Sequence, residues 1–308
     1  MRIGVVVPTY NRQRLVLETL ESVLAQSRAP DRVVVVDECS TDETVVRVRE
    51  WIAQRDGTAH WQVAALPENG GVSTARNAGM ALVGECDLIG FLDSDDIWPP
   101  NMLERVEEAA ETSPQGVAYV VDRLNEDSTR DREPWLQRFD FLEEHAVERM
   151  VRLGCPGPSC VVMRRASLAK VGGWDPEVRY MEDFDAMARL SLAGPIVHVP
   201  GVTIRYRLGI GLVHGEQKAL SHSVEDRGLH RATAVERFKA AHDYPGLSGE
   251  RAFCWFRAGR SAYRQRNWAE CRQRCVRAMR IAPWYPRPAL LWLRATVRSW
   301  FAPSRLPA

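Results

Sequence analysis

Asp93-Ser94-Asp95-Asp96 places three carboxylates within four residues, directly after the apolar run Leu88-Ile89-Gly90-Phe91-Leu92. Like charges held this close raise one another's pKa, and a bound divalent cation relieves the repulsion best. Oxygen ligands suit Mg2+, Mn2+ or Ca2+, and the first two commonly complete their coordination with substrate phosphates. The cluster therefore predicts Mn2+ or Mg2+ together with a diphosphate. The plain alternative is a solvated Asp/Ser turn capping a helix that starts after Pro99-Pro100. A second acidic group, Glu182-Asp183-Phe184-Asp185, opens a stretch whose Phe184, Met187, Leu190 and Leu192 suit a helix with one buried face. There the helix dipole alone favours acids in the first turn. Polar residues behind two other apolar runs suit a nucleotide. Thr9 offers a hydroxyl, Tyr10 an aromatic face, and Asp37 and Glu38 are acceptors for ring N–H or ribose hydroxyls. Tyr10 in a core and Asp37-Glu38 in an ordinary turn are the competing readings.

These groups need a frame, and the hydrophobic pattern supplies one. Ile3 to Val7, Val33 to Val36, Trp61 to Leu66 and Leu88 to Leu92 read as strands, with helices between them at residues 12–26, 42–55 and 72–83. Alternating strands and helices predict an α/β fold, a mostly parallel sheet with helices on both faces. Ligands of such sheets bind beyond the carboxyl ends of the strands, where Thr9-Tyr10-Asn11, Asp37-Glu38, Glu68-Asn69-Gly70 and the Asp93 cluster all fall. Further on, the pattern gives a helix near 100–111, a strand at 117–121 and a charged loop from Asp122 to Glu133. A helix near 138–152, a strand from Ser159 to Met163, a helix at 166–171 and short strands at 196–199 and 202–206 follow. Leu208 to His222, with Gly209, Gly211 and Gly215 around His214, reads as a flexible loop.

In order along the chain stand Pro8-Thr9-Tyr10-Asn11-Arg12, Asp37-Glu38-Cys39-Ser40-Thr41-Asp42, Asn69-Gly70-Gly71-Val72 with Ala75-Arg76-Asn77-Ala78-Gly79, the Asp93 cluster, Gly172-Gly173-Trp174-Asp175, and Glu182-Asp183. This series resembles the motifs of family 2 glycosyltransferases, inverting enzymes with the GT-A fold, from about Met1 to Tyr206. The resemblance implies that Pro8, Thr9, Tyr10, Asp37 and Glu38 hold the nucleotide and that Arg76 orders the donor site. It places Asp93 and Asp95 at the ends of the DxD motif, with Asp95 and Asp96 near ribose and metal; which of the three touches the cation stays open. Asp183 matches the catalytic base, with Glu182 and Trp174 on the acceptor side, and His214 is a further candidate for the metal or the diphosphate. The implied partners are a nucleotide-diphosphate sugar, UDP by default, and a glycan or lipid-linked acceptor in cell-surface polysaccharide or glycoconjugate synthesis. One position departs from the pattern: relatives follow two aspartates with Gly or Asn, where this chain has Asp37, Glu38 and Cys39. No G-x-G-x-x-G follows the first strand, against a dehydrogenase or nucleotidyltransferase, and a glycosidase has no need of the cation cluster.

Charge divides the chain. From Trp255 to Ala308 there are twelve Arg, no Lys and one acid, Glu270, so +11, leaving 1 − 11 = −10 for residues 1–254. A catalytic region over 1–222 and a basic helical C-terminal region over 223–308 are expected. The latter resembles a tetratricopeptide-like hairpin at 249–265 and 268–281 plus a terminal helix rich in Trp, Leu and Arg. That last helix suits peripheral contact with an anionic bilayer or packing on the catalytic region, and both readings stand. No nucleic-acid motif is present. Seven scattered cysteines form no disulfide framework, and no apolar run reaches the length of a membrane span. The expected location is cytoplasmic, with attachment at the inner face of the membrane as an option. The competing function is a non-catalytic nucleotide-sugar-binding scaffold acting through the tail.

Overall fold

The computed structural model describes residues 1–58, 60–125, 145–207, 227–242, 244 and 246–300. Two compact units emerge: one comprises residues 1–146 and 155–223, the other residues 147–154 and 224–308.

The first unit is built on a seven-stranded sheet of order β3-β2-β1-β4-β6-β5-β7. The first half alternates as the hydrophobic pattern requires: β1 (Ile3–Thr9), α1 (Leu15–Leu24), β2 (Arg32–Asp37), α2 (Thr44–Ala53), β3 (Trp61–Ala65), α3 (Val72–Val83) and β4 (Leu88–Phe91). β1 runs parallel to both β2 and β4. Val5 to Val7 and Val33 to Val36 are buried throughout, as expected of strands covered on both faces. α4 (Met102–Thr112), β5 (Ala118–Asn125), β6 (Val161–Arg164), α6 (Arg165–Lys170), α7 (Glu182–Ala193) and β7 (Ile196–Tyr206) follow, with α5 (Ala146–Leu153) between β5 and β6 in the chain but belonging from residue 147 to the second unit, and β6 runs antiparallel to β4 and β5. The order reverses at β1, with β2 on one side and β4 on the other, so their carboxyl ends open one crevice. Thr9 pairs in register with Asp37, which sets the first two motifs side by side.

Three expectations need correction. Asp122 to Asn125 are strand rather than loop, because β5 continues past an irregularity between Val120 and Asp122 to pair with residues 203–206. The segments at 196–199 and 202–206 form the single strand β7, which carries exposed Pro200 and Gly201 across that irregularity. Ser159 and Cys160 belong to a 3-10 turn, Pro158–Cys160, with Pro158 at its start, and β6 begins only at Val161. The Gly-rich stretch with His214 lies outside the described residues.

The second unit contains α8 (Arg227–His242), α9 (Ser248–Arg264), α10 (Trp268–Ile281) and α11 (Arg287–Trp300). Residues 147–154 join it through Tyr244 Oη to Glu148 at 3.1 Å and Arg152 Nε to Glu250 at 2.6 Å. Phe256, Ala262, Cys271, Cys275, Leu291 and Ala295 make its small core, and the Asn267 side chain caps α10 by accepting from the Glu270 N–H.

Helix α3 lies unusually close to the sheet at Gly79, where an added Cβ would sit 2.3 Å from Val6 Cγ1. Val6 is β-branched and fully buried and has no room to yield. Gly79→Ala is therefore expected to lower unfolding stability by about 1–3 kcal/mol, read as the urea midpoint by circular dichroism. An unchanged midpoint would mean that α3 does not pack this closely.

Candidate active site at the strand ends

The loops after β1 and β2 are laced together. Asn11 and Cys39 take left-handed backbone conformations, φ 50° and 65°. Gly or Asn would take that conformation at lower cost than Cys39 does. The Asn11 N–H donates to Ser40 Oγ at 2.8 Å, and Asn11 Oδ1 accepts from the Thr41 N–H at 2.8 Å. Asp37 accepts from both the N–H and the hydroxyl of Ser40, so its two oxygens serve this turn. The Glu38 N–H donates to Thr9 O at 2.9 Å. Thr9 is buried and its hydroxyl has no partner among the described residues, while Tyr10 is partly exposed at the strand end. Burial pushes the Glu38 carboxyl up to about 7; Arg76 opposes this, and the charges of Asp93, Asp37 and Glu182 reinforce it.

The second group of acids gathers around three arginines. Arg76, only 2% exposed, donates to Asp93 at 2.8 Å and to Glu182 at 3.2 Å. Arg12 reaches Asp95 at 3.5 Å, and Arg207 donates to the Asp95 carbonyl. Asp96 is buried, with one carboxylate oxygen accepting from Ser159 Oγ at 2.6 Å and the other from the Arg207 N–H at 3.1 Å. Ser159 Oγ also accepts from the Asp93 N–H at 3.1 Å, so one hydroxyl ties the two ends of the motif together. Burial and the charge of Asp93 push Asp95 up to about 6 against Arg12 and Arg207. Asp96 rises well above the carboxylate range through burial and the charges of Asp95 and Asp93. Among the described residues, no three His, Cys, Asp or Glu side chains form a ready cage for a metal ion.

Asp183 stands in the first turn of α7, partly exposed, with Oδ1 accepting from the Phe184 N–H at 2.7 Å. The residue at the helix N-cap, Met181, is left-handed at φ 65°. Trp174 departs from the expected acceptor platform. It is 1% exposed, with the Arg76 guanidinium 4.5 Å above its ring and Phe91 edge-on at 5.1 Å, so no face is open to a sugar. Arg12, Asn77, Ser159 and Arg207 are site residues that the motif reading left without roles. Arg12 and Asn77 lie inside quoted motifs, whereas nothing in the sequence signals the long-range partners of Ser159 and Arg207.

The sequence model of Glycosyl transferase family 2 matches residues 4–172. The chain belongs to this family. Among curated relatives, the family 2 chain is 35% identical over 105 residues to a putative teichuronic acid biosynthesis glycosyltransferase, TuaG of Bacillus subtilis, covering 33% of this chain and 39% of that one. It spans about half the length of the curated relatives it matches. Among solved structures, S. aureus TarS 1–349 in complex with UDP-GlcNAc superposes with a TM-score of 0.62 at 16% identity, covering 98% of this chain and 91% of that one. The mannosyltransferase PcManGT from Pyrobaculum calidifontis, in complex with GDP-Man and Mn2+, gives 0.59 at 19% identity over 97% and 82%. Both likenesses establish the GT-A fold for the family 2 chain.

The Glu38 proton has a stability consequence. Between the ordinary value of 4.5 and the raised value of about 7, the folded chain keeps a proton that the unfolded chain has lost, so stability falls as pH rises through this window. Glu38→Gln removes that dependence: its Tm advantage over the parent should grow between about pH 5 and about pH 8. Parallel Tm curves for the two proteins would show that Glu38 titrates normally.

Proposed function

We propose that the chain is a metal-dependent inverting glycosyltransferase. The reaction moves a sugar from a nucleoside diphosphate, UDP favoured, to a hydroxyl of a glycan or lipid-linked acceptor in cell-surface polysaccharide or glycoconjugate synthesis. The observation that carries this reading is the convergence at one crevice of Thr9, Glu38, Asp93, Asp95 and Asp96, joined through Arg76 to Glu182 beside Asp183. The UDP-GlcNAc of TarS supports a nucleotide-sugar donor, and TuaG supports a polysaccharide product.

The donor set fits a hard cation: burial first, and then the neighbouring carboxylates, raise Asp95 and Asp96, and a cation would relieve that repulsion; the Mn2+ of PcManGT is consistent with this. Asp95 is the ligand proposed here, since among the described residues its carboxylate meets its own backbone N–H and Arg12 at 3.5 Å, whereas the two oxygens of Asp96 accept from distant parts of the chain, Ser159 and Arg207. Asp96 then anchors the motif rather than binding metal, and a cation at Asp95 would take its remaining ligands from donor phosphates and water. When bound, such a cation offsets negative charge on the departing diphosphate. Thr9 and Tyr10 hold the nucleoside, and Glu38, close to half-protonated near neutral pH, can donate or accept at the base. Asp183 takes the proton of the acceptor hydroxyl as that oxygen bonds to the anomeric carbon; the bond to the diphosphate oxygen breaks on the opposite face, which inverts the configuration. Asp183→Asn should cut transfer by about 10²–10⁴-fold in a sugar-transfer assay while leaving the UDP Kd within about threefold. Undiminished turnover would remove Asp183 from the mechanism.

The basic tail is proposed to rest on an anionic bilayer. Helix α11 exposes Leu290, Leu293 and Val297, after exposed Trp284, among Arg287, Arg294 and Arg298. Among the described residues, no helix is long and apolar enough to cross a membrane. The double variant Leu290→Glu, Leu293→Glu should lose sedimentation with phosphatidylglycerol-containing vesicles; equal sedimentation of parent and variant would leave this face without a lipid role.

A further inference from the structure

Helix α3 carries Arg76 and helix α7 carries Glu182 and Asp183, and the turn at residues 171–174 is fastened to both. From α3, Asn77 reads the backbone of Trp174 twice: Oδ1 accepts from the Trp174 N–H at 3.0 Å, and Nδ2 donates to the Trp174 carbonyl at 2.6 Å. From α7, Arg189 donates to the carbonyls of Val171 at 2.6 Å and Gly173 at 2.8 Å, and is itself held by Asp185 at 2.9 Å. Glycine suits the bend: Gly173 has φ +69°, and a Cβ there would sit 2.9 Å from Asn77 Oδ1, so a larger residue would press on the Asn77 side chain. The indole is thereby fixed between the Arg76 guanidinium and Phe91. Among the described residues neither Arg76 Nε nor Trp174 Nε1 has a hydrogen-bond partner, and the ring meets the guanidinium through its π face, 4.5 Å away.

We propose that Asn77 and Trp174 are positioning residues: clamped by Asn77, the Trp174 ring holds Arg76 across Asp93 and Glu182 and so fixes the first turn of α7 against the donor site. Asn77 touches neither donor nor acceptor in this account, and the Trp174 ring serves Arg76 instead of stacking on a sugar. The kinetic consequence rests on the glycosyltransferase reading; the clamp itself does not. If Arg76 loses its backing, Asp183 is displaced from the acceptor hydroxyl while the nucleotide pocket of Thr9, Tyr10 and Glu38 stays formed. Misplacement on the scale of an ångström costs about 10²-fold in rate.

The test uses the full chain as Asn77→Ala, Trp174→Leu and Trp174→Phe, each checked for folding by circular dichroism. Hydrogen exchange of the peptide spanning residues 178–186 is read beside kcat and the UDP Kd. Faster exchange is expected in Asn77→Ala and Trp174→Leu, with kcat lowered by about ten- to hundredfold and the UDP Kd within about threefold of the parent. Trp174→Phe, which keeps a ring face, should restore most of the loss. Parental exchange in folded Asn77→Ala and Trp174→Leu would overturn the clamp, as would Phe and Leu behaving alike. A parent that transfers no sugar would sink the functional reading instead, and the exchange measurements would still decide on the clamp.

Discussion

A buried arginine, its side chain only 2% exposed, cannot persist without compensation, because the desolvation cost of a buried charge amounts to several kcal/mol. Arg76 meets that cost with two carboxylates and an aromatic face, drawn from separate parts of the chain: Asp93 after β4, Glu182 at the start of α7, and Trp174 in the turn between α6 and α7. The same bonds that keep Arg76 charged therefore tie the acidic motif after β4 to the helix bearing Asp183. Breaking either ion pair leaves a buried charge uncompensated, so the arrangement tolerates little drift. Gly79 and Gly173 belong to this constraint, one letting α3 approach the sheet and the other letting the Trp174 turn approach Asn77.

The acids of the crevice divide their labour. Asp37 shapes its own turn through Ser40, and Asp96 ties the end of β4 to Ser159 and to Arg207. Glu38 and Asp95 both have raised pKa values, and they are the acids proposed to meet the base and the cation. Conserving charge at the site thus takes three buried arginines, Arg12, Arg76 and Arg207, as well as the cation proposed for Asp95.

Much of the frame was legible in the sequence because valine runs at β1 and β2 leave no other reading, and because each strand end carries polar residues out of keeping with a core. The α3 boundaries, residues 72–83, follow directly from the Gly70-Gly71 break and the apolar spacing. Long-range partners were not legible. Nothing local to Asp96 announces Ser159, 63 residues away, or Arg207, 111 residues away, yet these decide that its oxygens are occupied. Trp174 beside an acidic turn reads equally well as a sugar platform or as a packed ring, and only the position of Arg76 chooses between them. The merging of two short segments into β7 likewise depends on its pairing with β5.

The claim that this crevice binds a nucleotide through a cation held at Asp95 is tested most directly by calorimetric titration with UDP, with and without Mn2+, of the parent beside Asp95→Ala. Binding that requires Mn2+ in the parent and disappears in the variant is the predicted result. Binding of equal strength in both proteins, or without any dependence on Mn2+, would contradict the account.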